Sequence, residues 1–261
     1  MIQDTFNEFA KFSQVRSIAV GGSRAVKRND EFSDYDVYVY ATEPIPIEGR
    51  LDVLEKHCDS IALDNHYREH EDVCIMEDGT QLNIVYREFD VFLEGIARVA
   101  ERCEPLDGCT TSMWNSLLVS RIAYDKGGLL AAAREKYTIP YPQQLKHNII
   151  SHHMNLIKYG LPSYMAQMEK AMKRKDMVNI NQCAQRFLNS YFDIIFALNE
   201  KLHPGEKRLI QICVEECKIL PANFELNIRL LLNSMFKDPA ASTVVDLIVT
   251  ELEKVIGLTL G

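Results

Sequence analysis

Polar and apolar positions alternate or recur with two different periods in the two halves of the chain. Near the start, Phe6, Phe9, Ala10 and Phe12 recur at helical spacing and predict an amphipathic helix. A β-branched run, Val15-Arg16-Ser17-Ile18-Ala19-Val20, then stops at Gly21-Gly22 and resumes in Ala25-Val26-Lys27-Arg28, which reads as strand, tight turn and helix start. From Asp34 to Ala41 the period is two: Asp34, Asp36, Tyr38 and Tyr40 share one face, and Tyr35, Val37, Val39 and Ala41 share the other. The pattern next predicts a helix over 47–58, extended segments over 60–64 and 72–76, and a turn at Asp78-Gly79-Thr80. A strand from Gln81 to Arg87 is expected to close the sheet, and a helix is expected over 91–101.

Pro140 and Pro142, two apart in Thr138-Ile139-Pro140-Tyr141-Pro142, cannot sit inside a helix and mark the boundary. Beyond them helical periodicity runs through 147–159, 163–174, 177–202, 206–216, 224–235 and 241–256. The expected architecture is therefore an α/β domain with a mixed sheet over residues 1–139, followed by an all-α helical-bundle domain over 140–261, with a cleft between them. No fixed-period repeat or low-complexity tract interrupts this division.

The chemistry concentrates in the first part. Glycines allow close backbone approach to phosphate oxygens, and Ser23 adds a hydroxyl donor. Asp34 and Asp36 repel each other on one strand face unless a cation sits between them, and magnesium takes one or two carboxylates together with phosphate oxygens. Each signal alone is weak, since Gly-Gly-Ser is commonly a turn and Asp-x-Asp a solvated strand edge. Their order is more specific. Strand, Gly21-Gly22-Ser23, helix and a strand carrying Asp34-Tyr35-Asp36 resembles the nucleotidyltransferase superfamily related to DNA polymerase β. Gly22-Ser23-Arg24-Ala25 before Ser33-Asp34-Tyr35-Asp36 resembles its small bacterial branch, which includes antibiotic adenylyltransferases. A weaker likeness continues through Phe196–Glu200 and Pro204–Lys207 to an uncharacterised two-domain subfamily.

The resemblance implies transfer of a nucleoside monophosphate, AMP from ATP first among the candidates, to a hydroxyl of a small molecule or protein, with magnesium as cofactor. It implies Gly22, Ser23 and Arg24 at the triphosphate, Asp34 and Asp36 at the metal, and a contact from Lys207, which with Lys201 flanks the His203-Pro204-Gly205 turn. It also implies a third carboxylate on a later strand. Alternation brings Asn83 to that position, and an amide cannot accept a proton as a general base. Glu88 and Asp90 are the nearest acids in sequence, although both suit the first turn of the next helix. Two other readings stay open: a triphosphate- or partner-binding protein without chemistry, and an adenylylating antitoxin.

Charge narrows the partners. Residues 1–90 carry 19 acidic and 9 basic side chains, against 18 and 20 in the remainder, within a net charge of −8. Nucleic-acid polymers are disfavoured as substrates, because their binders concentrate lysine and arginine on one face. An acidic domain tolerates a cationic acceptor such as an aminoglycoside. No apolar run reaches membrane-spanning length, and Met1-Ile2-Gln3-Asp4 lacks a basic leader, so a cytoplasmic location without membrane association is expected. Seven cysteines without a CxxC pair indicate neither disulfides nor zinc, and Cys213 and Cys217 fit a helix interior. Adjacent His152 and His153 point to different helix faces and are expected at the surface or at a cap. Trp114 and the tyrosines 137 and 141 could stack on a base or sugar, although core placement is the commoner fate of a lone tryptophan. Nothing in the pattern fixes the oligomeric state.

Overall fold

The β-branched run ending at the two glycines forms β1, Val15–Val20, all but one of whose residues are buried. This is a computed structural model, and it describes residues 2–26, 33–66, 69–237 and 241–260. Lys27 and Arg28, expected at a helix start, lie outside the described residues. The chain divides into two units, residues 1–97 with 113–139, and residues 98–112 with 140–261. Segment 98–112, which the sequence pattern assigns to the first part, thus groups with the second.

The first unit is built on a six-stranded mixed sheet. Its strands are β1, β2 (Tyr35–Ala41), β3 (Cys58–Asn65), β4 (Glu71–Met76), β5 (Gln81–Glu88) and β6 (Arg121–Asp125), in the order β3-β4-β5-β2-β1-β6. Among the described residues only β2 and β5 pair in parallel, and β5 lies between β4 and β2, so the Gln81 strand is inside the sheet rather than closing it. The edges are β3 and β6, and the pattern reading did not anticipate β6. Val37, Val39, Leu82, Ile84, Ile18 and Val20 belong to one buried cluster with Phe6 and Phe9 of helix α1 (Ile2–Phe9) and with Val53 and Leu54 of α3 (Ile47–Leu54). Burying each phenylalanine contributes roughly 2–3 kcal/mol. Helix α3 ends earlier than expected because β3 already begins at Cys58.

The core face carries one polar group of consequence. Arg50, 1% exposed, donates through Nη1 to fully buried Asp72 at 2.7 Å and lies over the Tyr86 ring, whose hydroxyl donates to the other Asp72 oxygen at 2.7 Å. The opposite face carries Asp36, Tyr38 and Tyr40 of β2 beside Asn83, Val85 and Arg87 of β5. Helix α4 (Phe89–Ala100) covers its far end, with Phe92 4.8 Å from Tyr40 between ring centroids. Trp114 of α5 (Ser112–Val119) is core: it is buried and donates to the Tyr137 carbonyl at 2.9 Å, at the end of α6 (Leu129–Tyr137).

The second unit is helical. Helix α7 (Gln143–Met154) continues into a π turn over Asn155–Tyr159, followed by α8 (Tyr164–Arg174) and α9 (Met177–Leu198). Three further helices complete it, α10 (Leu209–Glu216), α11 (Phe224–Ser234) and α12 (Ala241–Leu260). Asn199 ends α9 four residues before the expected stop, because its side chain turns back to the Ile195 carbonyl and pairs with the backbone of Ile219. His153 corrects the surface expectation. It is fully buried, hydrogen-bonded at 2.9 Å to Ser190 Oγ, with Nε2 2.9 Å from Asp193 Oδ2 but out of line for a hydrogen bond. Its neighbour His152 contacts Asp107 at 2.9 Å and stays partly exposed. Asp193 also accepts from the Thr110 backbone and hydroxyl, which binds segment 98–112 to α9. No helix among the described residues is long and apolar enough to cross a membrane.

Candidate active site

Two glycines bring the backbone onto the polar face of β2. Gly21 continues the pairing by donating to the Asp36 carbonyl at 2.7 Å. A Cβ placed on it would meet the Tyr38 ring at 2.3 Å. Gly22 opens a four-residue helix, α2 (Gly22–Ala25), with φ +61, and a Cβ there would lie 2.0 Å from Asp36 Oδ2. A larger residue at either position would displace the side chain beneath it, so the close approach itself requires glycine.

Asp34 precedes β2 and Asp36 lies within it, directly opposite Asn83 in the parallel register. Asn83 Nδ2 donates to Asp34 Oδ2 at 3.0 Å and to Asp36 Oδ1 at 3.4 Å. Its Oδ1 accepts from Gln81 Nε2 at 2.8 Å. One amide therefore bridges two carboxylates that would otherwise repel; the carboxylate oxygens are hard donors of the kind a divalent cation takes, but it is the N–H end of Asn83 that now faces them.

Arg24 spans the approach to Asp34. Its Nε donates to the Asp34 carbonyl at 3.1 Å, its Nη2 donates to the Ser33 carbonyl at 2.6 Å, and its guanidinium lies 4.0 Å from the Tyr35 ring centroid. It braces the carboxylate loop. Ser23 lies half-buried in α2. Lys207 belongs to the second unit, exposed just before α10.

Glu88 and Asp90 do not join Asp34 and Asp36. Glu88 is five residues beyond Asn83, roughly 16 Å along the strand and on the opposite face. Asp90 lies in the first turn of α4. An ion pair not anticipated from the sequence stands farther along the polar face. Arg87 grips Glu69 through two 2.7 Å hydrogen bonds and lies 4.2 Å from the Tyr38 ring centroid, and its pairing with Glu69 holds the guanidinium firmly charged despite burial. Tyr38 is thus held between Gly21 and Arg87. The alternation already aligned Arg87 with Gln81 and Asn83; its partner, in the connection before β4, had no local signal.

A separate cluster, Asp64, His66 and His70, brings its ligand atoms within 4.8 Å of one another. Arg50 Nη2 lies 2.9 Å from Asp64 Oδ1 and Nη1 3.2 Å from His70 Nε2, so a guanidinium already supplies the positive charge there.

A family described as a domain of unknown function, DUF4037, matches residues 111–209. No curated protein sequence matches the chain. Among solved structures, the chain is similar to a nucleotidyltransferase-like protein from Exiguobacterium sibiricum, with 10% identity, a TM-score of 0.46 and coverage of 99% of this chain and 75% of that one. It is similar to an aminoglycoside 6-adenyltransferase from Bacillus subtilis at 11% identity, TM-score 0.35, covering 98% and 89%. It is also similar to a CCA-adding enzyme from Thermotoga maritima at 12% identity, TM-score 0.27, covering 99% and 81%.

Proposed function

We propose that the first unit performs magnesium-dependent nucleotidyl transfer, taking AMP from ATP to a hydroxyl acceptor. The observation that carries this reading is the convergence of Asp34, Asp36 and Asn83 beneath a glycine whose Cα has no room for a side chain. In the reaction, the acceptor oxygen bonds to the α-phosphorus, the bond to the pyrophosphate oxygen breaks, and the hydroxyl proton passes to solvent. A divalent cation bound by Asp34 and Asp36 would neutralise the triphosphate and polarise its α-phosphoryl group. Gly22 and Ser23 admit the β- and γ-phosphates close to the backbone, and Arg24 keeps the Asp34 loop in place. Lys207 is assigned a triphosphate contact by the motif resemblance alone.

Asn83 favours a second reading. Its amide has no proton-accepting carboxylate, so the same geometry suits a protein that binds a metal–triphosphate complex without turning it over. The two readings separate in one experiment. Protein is incubated with labelled ATP and magnesium across aminoglycosides, other hydroxyl acceptors and cell extract, while pyrophosphate is measured and ATP binding is followed by calorimetry. Pyrophosphate release that Asp36→Ala abolishes supports transfer. Magnesium-dependent binding without release supports the second reading, and equal ATP affinity with and without magnesium in wild type and Asp36→Ala rejects both.

A further inference from the structure

Gln81 and Asn83 are two residues apart on one face of β5, and their amides are in series. Gln81 Nε2 donates to Asn83 Oδ1 at 2.8 Å, and Asn83 Nδ2 donates to both aspartates at 3.0 and 3.4 Å. The direction of this chain has a chemical consequence. The donor end of Asn83 faces the carboxylates, while the oxygen that could ligate a cation is turned away and occupied by Gln81. A cation entering between the aspartates would meet the N–H end, which repels it. Primary amides carry a donor at one end and an acceptor at the other, and their terminal torsion is broad and roughly two-fold, so rotation exchanges the ends. If Asn83 rotated alone, its Nδ2 would face Gln81 Nε2, donor against donor. If both rotate, Asn83 Nδ2 donates to Gln81 Oε1 and the contact is restored with its direction reversed. Gln81 is exposed, so solvent can compensate its amide during the turn.

We propose that Gln81 and Asn83 form a paired amide relay that reverses when a divalent cation binds Asp34 and Asp36. Gln81 is then a positioning residue: it sets which end of Asn83 faces the carboxylates, and so the affinity for the cation. The inference rests on the reading of Asp34 and Asp36 as cation ligands.

The test uses Mn2+ alone as probe, with free Mn2+ counted by electron paramagnetic resonance. Gln81→Glu leaves only an acceptor, which draws the N–H end of Asn83 toward position 81 and its oxygen toward the aspartates. Affinity for Mn2+ should rise about fivefold, the worth of roughly one hydrogen bond. Gln81→Lys leaves only donors and should lower affinity by a similar factor. Both substitutions also change charge, so each is repeated in an Asn83→Ala background, where no amide remains to turn. Effects that shrink below about twofold there support the relay, and equal effects in both backgrounds overturn it. In the unmodified protein, the side-chain amide resonances of residues 81 and 83, assigned by their loss in Gln81→Met and Asn83→Ala, should shift together on addition of Mg2+. A shift of the Asn83 signal with the Gln81 signal unmoved overturns the relay as well. Mn2+ binding that Asp36→Ala removes but every Gln81 variant leaves unchanged refutes the relay alone. No Mn2+ binding by the unmodified protein refutes the cation reading and the relay with it.

Discussion

Gly22 and Asp36 are packed so closely that a methyl group on the glycine would lie 2.0 Å from the carboxylate oxygen. The contact ties the glycine turn to the carboxylate strand, so neither can shift without the other. Gly22→Ala should therefore impair the site twice. Its φ of +61 is unfavourable for alanine by about 1–2 kcal/mol, and the new methyl group must also displace Asp36. Magnesium-dependent ATP binding should weaken at least tenfold. Gly79→Ala is the control, because Gly79 also has positive φ, +81, but nothing lies within 4 Å of its Cβ position. Denaturation should register a similar backbone cost for both variants, with calorimetry finding lost binding only in Gly22→Ala. Equal binding in the two would mean that the Gly22–Asp36 contact has no part in the site.

Asn83→Asp should reverse the relation between metal and stability. The amide that now donates to Asp34 and Asp36 becomes a third carboxylate at hydrogen-bonding distance from both. In EDTA the variant should be less stable by roughly 1–3 kcal/mol, from the lost hydrogen bonds and like-charge repulsion. Magnesium should then raise its melting temperature by more than it raises that of the wild type, since a ligand bound only to the folded state stabilises in proportion to RT ln(1 + [L]/Kd). Where general-base assistance is limiting, turnover should increase by about 10²–10⁴-fold. A variant with unchanged melting temperature in both EDTA and magnesium would show that the three side chains do not share a site.

Asn83 was legible because alternation is a local property: Leu82 and Ile84 must enter the core, which turns Asn83 to the polar face. Strand partnership is not local. Gln81–Glu88 pairs in parallel with Tyr35–Ala41 across an intervening helix and two strands, and nothing within the segment announces that it belongs in the middle of the sheet. The edge strand β6 was hidden for a similar reason. Its five residues carry no clean alternation, and Asp125 becomes intelligible only with Ser17, whose hydroxyl donates to it at 2.8 Å, and with the Leu130 and Ala131 backbone donors it accepts from. His153 misled because a surface expectation presumes a helix with a solvent face. Helix α7 packs beside α9, and the partners of His153, Ser190 and Asp193, lie about forty positions downstream.

The buried pair on the core face predicts the largest stability effect in the first unit. Asp72→Ala would leave Arg50, 1% exposed, without its closest counter-charge and leave the Tyr86 hydroxyl without its acceptor. Breaking a buried pair from one side costs about 3–5 kcal/mol, because the remaining charge stays desolvated. The double variant Asp72→Leu with Arg50→Met removes both charges and should recover much of that loss. Urea denaturation checks both, and a single substitution costing under about 1 kcal/mol would show that Asp64, 2.9 Å from Nη2, or solvent compensates Arg50.

His203 gives the second unit a pH dependence of definite sign. It is fully buried, its ring centroid 4.8 Å from that of Phe196, with Nδ1 accepting from the Gly205 backbone at 3.2 Å. Burial pushes its pKa below the ordinary 6.5; Asp193 and Glu206 pull the other way, and His153 adds to the depression. For a base with a depressed folded-state pKa, the unfolded chain binds a proton that the folded chain refuses. Stability contributed by neutral His203 is therefore complete above the unfolded value of 6.5 and is lost as pH falls toward the folded value. Urea denaturation between pH 7.5 and 5 should give a steeper decline for the wild type than for His203→Gln, which retains an acceptor for Gly205 but does not titrate. The variant will start from lower stability, so the comparison rests on slope. Parallel curves would mean that the acid sensitivity of this unit arises elsewhere.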